Sequence, residues 1–404
     1  YKVSDMLLRN KDEIEEYLQD QERHLFNLDE KILLYDLTNT FFEGTGKYNP
    51  KARFGVSKEK RTDCPLVTLA LLMDAEGFPK KSQILEGNVS EPGTLSKILP
   101  AISTTARKPV VVTDAGIGTQ ENVDWLTANG YAYIVVSRKR QLDIPAGLDM
   151  IPVRQDDHRV IRAGIRENAS QELEVYCHST AKEIKERSIK NRFEQRFEEQ
   201  LTNVRHALHK KHGTKKYEKV LEKIGRLKER YRRVARRYEI RVEKDDTSGN
   251  ARDVVFQMKP ADDESGYYAL RSNLAHADAK EVFDIFTMLL EVEDAFRCMK
   301  SELGLRPVHH QSQYRCDGHL FITVLAYHVL QSIRLKLKAH GLTHGWATIR
   351  QTLSTHYRVT TSMKRSDGKV VYVRKTAKPE ECHIRIYNAL GLPTRPGKTS
   401  KIIL

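Results

Sequence analysis

The chain has 404 residues and a formal net charge of +14, and 30% of its residues are charged while 39% are hydrophobic. This composition is too apolar for a disordered tail and too polar for an integral membrane protein. No apolar run approaches the roughly 20 residues that a membrane-spanning helix requires, and the first residues lack the pattern of a signal peptide. The positive charge favours a polyanionic partner, but it does not separate a nucleic-acid enzyme from a passive binder.

Cysteine usage and length narrow the class of protein further. The five cysteines form no CxxC pair and their number is odd, which argues against a disulfide framework. We therefore expect a reduced, intracellular protein, and a chain of this length predicts two or three domains. Because the chain begins at Tyr1 without an initiator Met, we expect it to be a fragment of a longer reading frame.

The first 140 residues predict a mixed sheet with helices on its faces, because strand and helix patterns alternate around one hairpin. The first thirty residues predict an amphipathic helix, and KILLYDLTN predicts a buried strand. A hairpin follows in PLVTLALLMDAEGFPKKSQILEGN, with a positive φ expected at Gly77. The next elements are a short helix in TLSKILPAI, a strand in KPVVVTDAGIG, a helix in TQENVDWLTANG that ends at Gly130, and a strand in YAYIVVSR.

The character of the sequence changes after Arg140. Residues 141–180 predict short strands, and residues 181–238 predict an antiparallel helical hairpin, because apolar residues recur at spacings of three and four on both sides of a break at HGT. Strand patterns return in RYEIRVEKDD, DVVFQMK and GYYALRSN. A helix of about twenty residues is predicted from Asp278, which forms a capping-box pattern with Glu281. The last sixty residues predict strands in GKVVYVRKT and ECHIRIYNAL, followed by a mobile tail.

Two aspartates follow apolar runs that predict buried strands. Asp36 ends the run ILLYD, and Asp114 ends the run VVVTD. For a single such residue, a helix N-cap or a turn is the simplest explanation. Burying a carboxylate is unfavourable unless something compensates its desolvation, and ligands of open α/β sheets gather at the carboxyl ends of the strands. Two aspartates at the ends of neighbouring strands therefore favour a metal site.

A third acid lies on the predicted helix FDIFTMLLEVEDAFRCMKSEL. Glu293, Arg297 and Lys300 fall at i, i+4 and i+7, beside the apolar stripe that is expected to pack on the sheet. In this position Glu293 is expected to lie near the edge of the sheet, with Arg297 and Lys300 farther along the same edge. The alternative is an ordinary solvated Glu–Arg pair, which stabilises a helix by roughly a few tenths of a kcal/mol.

Three segments carry a resemblance to a known family. They are YDLTNTFFEG, VVVTDAGIGTQENVDWL, and GYYALRSN leading into VEDAFRCMKSELGLRPVHHQSQYRCDGHLFITVLAYHVL. In this order they resemble the DDE transposases of bacterial insertion sequences, the cut-and-paste group with an RNase H-like core. The resemblance implies an α/β fold, in which an RNase H-like mixed sheet flanked by helices is interrupted by a mixed β and helical-hairpin insertion. It also implies that Asp36, Asp114 and Glu293 are the catalytic triad and the metal ligands.

The same resemblance implies a division of the chain into regions. These are an N-terminal helical segment (1–30), the first part of the core (31–140), an insertion domain with the basic helical hairpin (141–275), the second part of the core with the Glu293 helix (276–340), and a C-terminal region (341–404).

The implied activity is metal-dependent DNA cleavage at the ends of an element, followed by strand transfer into target DNA. Cleavage of a phosphodiester is an in-line displacement, and two divalent ions about 3.5–4 Å apart stabilise its attacking and leaving oxygens. Carboxylate ligands favour Mg²⁺ or Mn²⁺. The implied partners are terminal repeats, target DNA and a second copy of the chain, with a dimer on DNA. No membrane partner is expected, because no long apolar run is present. No nucleotide cofactor is expected, because GTGKYNP lacks Walker spacing. The expected location is the bacterial cytoplasm, at the nucleoid when the protein is bound to DNA.

Other positions bear on DNA contact. This group often carries a Tyr and an Arg before the catalytic Glu, but Phe286 and Leu289 stand here, which argues against a hydroxyl or guanidinium contact from them. Lys300 matches the Lys of the group, and Arg297 is a replacement cation. The predicted DNA-contacting residues are Lys300, Arg297, Arg232, Arg233, Arg236 and Arg237. The last four belong to the basic helical hairpin, where glutamates interleave, so a solvated face is the alternative to a phosphate-contacting arm.

Two other functions stay open. One is an inactive or domesticated transposase that acts as a DNA-binding protein, which the departures at Phe286 and Leu289 favour and the presence of all three acids opposes. The other is a simple RNase H-like nuclease without strand transfer.

Overall fold

Two compact units make up the chain. The computed structural model describes residues 2–28, 31–101, 108–139, 142–156, 159–259 and 265–404. Unit 1 consists of Tyr1–Arg138, Ser272–Leu274 and Asp284–Leu404, and unit 2 consists of Lys139–Arg271 and Ala275–Phe283. The domain boundaries predicted at residue 30 and between residues 140 and 141 lie outside the described residues.

The helices and strands are numbered along the chain. The strands are β1 (Ile32–Phe41), β2 (Leu66–Asp74), β3 (Pro79–Glu86), β4 (Val110–Thr113), β5 (Ala132–Val136), β6 (Ile151–Asp156), β7 (Arg159–Glu167), β8 (Leu173–Ser179), β9 (Tyr238–Lys244), β10 (Ala251–Met258), β11 (Tyr267–Ser272), β12 (Arg358–Lys364), β13 (Val370–Thr376) and β14 (Ser400–Ile403). The helices are α1 (Lys2–Arg9), α2 (Lys11–Phe26), α3 (Leu95–Ile98), α4 (Gln120–Ala128), α5 (Thr180–Ala207), α6 (Tyr217–Arg230), α7 (Arg232–Ala235), α8 (Ala279–Thr287), α9 (Leu289–Ser301), α10 (Gln313–Ala339), α11 (Trp346–Ser354) and α12 (Glu381–Leu390).

A mixed sheet forms the centre of unit 1, with its strands in the order β3-β2-β1-β4-β5. β1, β2 and β3 are antiparallel neighbours, whereas β4 pairs in parallel with both β1 and β5. The turn between β2 and β3 has a positive φ of 83° at Gly77, as the sequence predicts. This strand order, with helices on both faces, is the arrangement of an RNase H-like core, so the predicted fold class is confirmed.

Alternate residues of β1 point to opposite faces of this sheet. Leu33, Tyr35 and Leu37 are buried on one face, in a cluster with side chains of α3 and α4. On the other face α9 packs against β1, and the Thr40 hydroxyl donates to the carbonyl oxygen of Leu305, which lies just beyond α9. Asp36 is an even number of residues from Thr40, so it belongs to the face that α9 covers.

The helix predicted from Asp278 is divided into α8 and α9, which meet at Met288. The Asp278 carboxylate accepts a hydrogen bond from the N–H of Glu281 at 2.8 Å, which is one half of the predicted capping box. At the junction the Met288 N–H bonds the carbonyl of Ile285, and the Glu291 N–H bonds the carbonyl of Met288. These tighter i to i+3 bonds replace the α-helical ladder and divide the helix.

α10 is the one described helix that is long and apolar enough to cross a membrane, which corrects the expectation that no segment qualifies. Half of its most apolar stretch is buried. Leu320, Phe321 and Val324 are among its buried residues, and the helix contacts α9 and β3. A core helix of a globular unit passes the same length and composition test, so this is weak evidence for a membrane span.

Unit 2 contains strands in the order β11-β8-β7-β6 and the hairpin of β9 and β10. α5 and α6 form the predicted helical hairpin, and their apolar stripes pack with β9 and β10 around Phe197, Leu201 and Val220. Phe193 is predicted on the same stripe, but it is 43% exposed. The reason is that Phe193 lines an open groove beside α7 instead of the core.

The C-terminal region ends in a three-stranded antiparallel sheet in the order β12-β13-β14. β13 lies in GKVVYVRKT as predicted, but ECHIRIYNAL is the helix α12 and not a strand. A capping box of Glu380 and His383 begins α12, and Gly391 in the left-handed region ends it. Part of the tail that is predicted to be mobile pairs with β13 as β14.

Candidate active site

Asp36 lies in β1, and Asp114 directly follows β4, the parallel neighbour of β1. Tyr35 of β1 pairs with Thr113 of β4, so the two aspartates are next in register. Adjacent strands lie about 4.8 Å apart, which brings both carboxylates into one neighbourhood. The prediction that β1 ends at Asp36 is wrong, since the strand continues to Phe41. It continues because tertiary hydrogen bonds satisfy the buried polar side chains that follow Asp36.

The Asp36 carboxyl is only 13% exposed, and its charge is incompletely balanced. Burial raises the pKa of Asp36 to about 6, the ammonium of Lys58 opposes this shift, and the carboxylate of Asp114 adds to it. Asp36 Oδ1 accepts a hydrogen bond from the N–H of Leu37 at 2.7 Å. The ionised carboxylate is therefore held in a place that an additional cation would stabilise.

Lys58 and Glu91 complete this neighbourhood, and neither is predicted from the sequence. Lys58 Nζ lies 3.7 Å from Asp36 Oδ1 and 3.4 Å from Glu91 Oε1, and it donates to the carbonyl oxygen of Leu37. Glu91 begins the 3-10 turn Glu91–Thr94, which lies between β3 and α3 in the chain. The pattern Glu-Pro-Gly marks a turn there, but it does not indicate which side chains the turn approaches.

Gly116 leaves a space between two of these carboxylates. A Cβ atom at this position would lie 3.1 Å from Glu91 Oε2 and 3.2 Å from Asp114 Oδ1. Asp114 Oδ1 is held by the N–H of Ile117 at 3.1 Å. The glycine-rich turn DAGIG therefore permits a close approach that a side chain would block. Carboxylates that surround such a space are the hard oxygen donors that Mg²⁺ and Mn²⁺ prefer, so these residues fit the implied metal.

Glu293 is an exposed residue of α9, the helix that packs against β1. Within the residues that the structure describes, no hydrogen bond or ion pair joins Glu293 to Asp36 or Asp114. The pKa of Arg297 is raised chiefly by its hydrogen bond to Asp294, and Glu293 adds to the shift. The structure thus brings the two aspartates together, and the participation of Glu293 stays a prediction.

Lys300 connects α9 to the loop that carries Lys58. Its Nζ lies 3.0 Å from Glu59 Oε1, an oxygen that also pairs with Arg306. Burial lowers the pKa of Lys300, and its pairing with Glu59 opposes that shift. Lys300 is therefore a fixed cation in the loop region next to the aspartates. Leu289, which stands where the group has Arg, is 7% exposed and is a core side chain.

The four predicted DNA-contacting arginines of unit 2 fall into two groups. Arg232, Arg233 and Arg236 are exposed on α7 and directly after it. Arg237 is half-buried, and its guanidinium bonds the carboxylate of Glu194. Three of the four side chains therefore extend into solvent, whereas the fourth holds the helical hairpin against the following strand.

Comparisons with known proteins identify the family of the chain. The family model described as the transposase DDE domain matches residues 28–329. The chain therefore belongs to the DDE transposase family, as the resemblance implies. A solved structure described as a piggyBac transposase synaptic complex with hairpin DNA is similar, with a TM-score of 0.36 and 7% sequence identity. The similarity covers 87% of this chain and 64% of the piggyBac chain, so this chain spans less than two thirds of that neighbour. No curated protein sequence is significantly similar to the chain.

Proposed function

We propose that the protein is a transposase that cleaves DNA at the ends of a mobile element and joins the freed 3′-hydroxyl to target DNA. The observation that carries this proposal is the register of β1 and β4, which places Asp36 beside Asp114 at the face covered by α9. Membership of the DDE family supports it. We further propose that Glu293 is the third acid, and that the protein acts as a dimer on paired ends in the bacterial cytoplasm.

The proposed cofactor is Mg²⁺ or Mn²⁺, with two ions in the site. When bound, such ions stabilise the charge on the attacking and leaving oxygens of an in-line displacement. Asp36 and Asp114 are the residues that would hold them, because their carboxylates are adjacent and Gly116 keeps the space between Asp114 and Glu91 open. The burial of Asp36 strengthens electrostatic attraction to a cation, since few water molecules compete for its oxygens.

Strand transfer separates this proposal from the two competing functions. Supplied with Mg²⁺ or Mn²⁺, a supercoiled target and donor duplexes taken from the DNA that flanks its own reading frame, the protein is expected to produce joined donor–target molecules. Gel electrophoresis of an end-labelled donor detects them. Nicked target without joined product would identify a simple nuclease. Donor DNA that migrates more slowly as a protein complex, without nicked target or joined product, would identify an inactive transposase that only binds DNA.

We propose Arg232, Arg233 and Arg236 as phosphate contacts of unit 2, since all three are exposed. Replacing the three by glutamine is expected to weaken DNA binding equally for all sequences. The slope of log K against log salt should become less steep by about 0.9 for each lost contact.

The measurement is a fluorescence-anisotropy titration of a labelled duplex at several salt concentrations. Arg226→Gln is the matched control, because this arginine is also exposed but pairs with Glu222 one turn away on α6. A triple variant with the same slope as the wild type would show that these arginines form an ordinary solvated face.

A further inference from the structure

A cation of the protein itself lies among the acidic groups of the site. Lys58 Nζ is 3.7 Å from Asp36 Oδ1 and 3.4 Å from Glu91 Oε1, and it donates to the carbonyl oxygen of Leu37. Three oxygen atoms from three different residues therefore converge on one positive charge. Oxygen donors of this kind, two carboxylates and one carbonyl, are also ligands that divalent cations accept.

Glu91 extends from this cation to the second aspartate. Its Oε1 faces Lys58, whereas its Oε2 lies next to the space above Gly116 that Asp114 Oδ1 also borders. Glu91 thus has one oxygen on the Asp36 side of the site and the other on the Asp114 side.

The backbone around Glu91 is held in place from two directions. The Thr94 hydroxyl donates to the carbonyl oxygen of Glu91 at 2.6 Å, and the Tyr35 hydroxyl donates to Thr94 Oγ1 at 2.7 Å. Asn122 on α4 donates to the carbonyl oxygen of Pro92 at 2.9 Å. Because Tyr35 directly precedes Asp36, the turn that carries Glu91 is fixed to the same strand as the first aspartate.

The carboxylates around Lys58 need more positive charge than this lysine supplies. Ionised carboxylates that lie close together repel one another, and each is stabilised by a cation within about 4–6 Å. Lys58 supplies one positive charge between Asp36 and Glu91, which is less than the charge that a divalent ion would supply. Asp36, Asp114 and Glu91 are three acidic groups around this single ammonium, so divalent ions would balance their carboxylates more fully than Lys58 does.

We propose that Glu91 is a carboxylate ligand of the metal site formed by Asp36 and Asp114, and that the ammonium of Lys58 holds the cation position between Asp36 and Glu91 until a metal ion displaces it. This inference rests on the proposed function, because it concerns the metal that the function requires. Lys58 is long and 39% exposed, so its ammonium has room to move into solvent.

The test is the binding of Mn²⁺ to the full chain without DNA, measured by calorimetry at constant pH and salt. Glu91→Gln is expected to raise the dissociation constant at least about tenfold, by analogy with the loss of a supporting metal-site residue. Lys58→Met is expected to lower the dissociation constant, because the ion no longer has to displace a positive charge. Glu86→Gln, an exposed glutamate at the end of β3, is the matched control and should leave the constant unchanged.

Glu91→Gln is expected to weaken Mn²⁺ binding and Lys58→Met to strengthen it, and these opposite changes separate the proposal from misfolding. A variant that merely misfolds loses affinity, so tighter binding by Lys58→Met cannot arise from misfolding. If Asp36→Asn abolishes binding while Glu91→Gln and Lys58→Met bind like the wild type, the roles of Glu91 and Lys58 are refuted and the metal site stands. If the wild type itself binds no Mn²⁺, the proposed metal-dependent function fails, and this inference fails with it.

Discussion

Asn in place of Asp36 or Asp114 is expected to reduce the rate of DNA cleavage by about 10³-fold or more, which corresponds to about 4 kcal/mol of lost transition-state stabilisation. An amide at either position removes one negative charge from the site, at Asp36 in β1 or at Asp114 directly after β4, while it keeps the size of the side chain. Glu293→Gln is expected to reduce the rate by a similar factor, because it removes the proposed third carboxylate from α9. Nicking of supercoiled plasmid in Mg²⁺ or Mn²⁺ measures the rate, and turnover that persists in any one variant removes that residue from the site.

The stability of the Asp36→Asn protein distinguishes lost chemistry from a lost fold. In the metal-free protein the pKa of Asp36 is about 6, above the value of 3.8 for an unperturbed aspartate. At this carboxyl the folded state therefore binds more protons than the unfolded state between these values, and the contribution of Asp36 to the free energy of unfolding falls as the pH rises from about 4 to 6. The variant lacks this loss, so at pH 7 in EDTA it should be more stable than the wild type by about 2–3 kcal/mol. Denaturant titrations at pH 4 and pH 7 check this, and a variant that is less stable at pH 7 would contradict it.

Asp74→Ala is expected to destabilise unit 1 by about 3–5 kcal/mol, because it leaves a buried ammonium without its carboxylate. Asp74 is 1% exposed and Lys80 is 2% exposed, and their charged atoms lie 3.2 Å apart. The other oxygen of Asp74 accepts hydrogen bonds from the N–H groups of Glu76 and Phe78, so the same change also removes two acceptor contacts from the β2–β3 turn. Urea unfolding followed by circular dichroism measures the loss.

Asp12→Ala is the matched control for this substitution. Asp12 pairs with Lys81, the residue next to Lys80, but its side chain is 82% exposed. An exposed ion pair contributes only about 0–1 kcal/mol, so this variant should unfold close to the wild type. If Asp74→Ala is no more costly than Asp12→Ala, the buried pair does not stabilise the turn. Lys80→Met should be less harmful than Asp74→Ala, since burial already raises the pKa of Asp74 and allows it to become neutral.

The strands of the core could be predicted because their apolar runs are continuous. The run ILLY predicts β1 from its apolar residues, but the second half of this strand is polar. Asn39 is buried there and bonds the carbonyl of Val56 and the N–H of Lys58, which are distant in sequence. Local pattern does not reveal such tertiary bonds, so the sequence does not predict the full length of β1 or the central position of Asp36 in it.

The errors elsewhere have similar causes. The alternation in ECHIRIYNAL imitates a strand, but the capping box at Glu380 and the left-handed Gly391 fix a helix. The apolar periodicity of the helix that carries Glu293 continues through Met288. The backbone there forms i to i+3 hydrogen bonds, which divide the helix into α8 and α9. Glu91 comes from a turn that carries no periodic signal, and only the folded chain brings it to Asp36. Sequence therefore predicts which strands bear the aspartates, but not the full set of charges around them.

The order in which the segments of unit 1 are made has a consequence for the living cell. Asp36 and Asp114 precede residues 139–271, whereas the helix that covers their strand begins at Leu289. Leu289 follows Asp114 by 175 residues (289 − 114 = 175). A ribosome adds about 5–20 residues each second, so α9 begins to emerge about 9–35 seconds after Asp114 is made. During that interval the first two acids exist on the nascent chain without the helix. We therefore expect a polypeptide released before Leu289 to lack the proposed DNA cleavage, because it has neither Glu293 nor the helix that packs against β1.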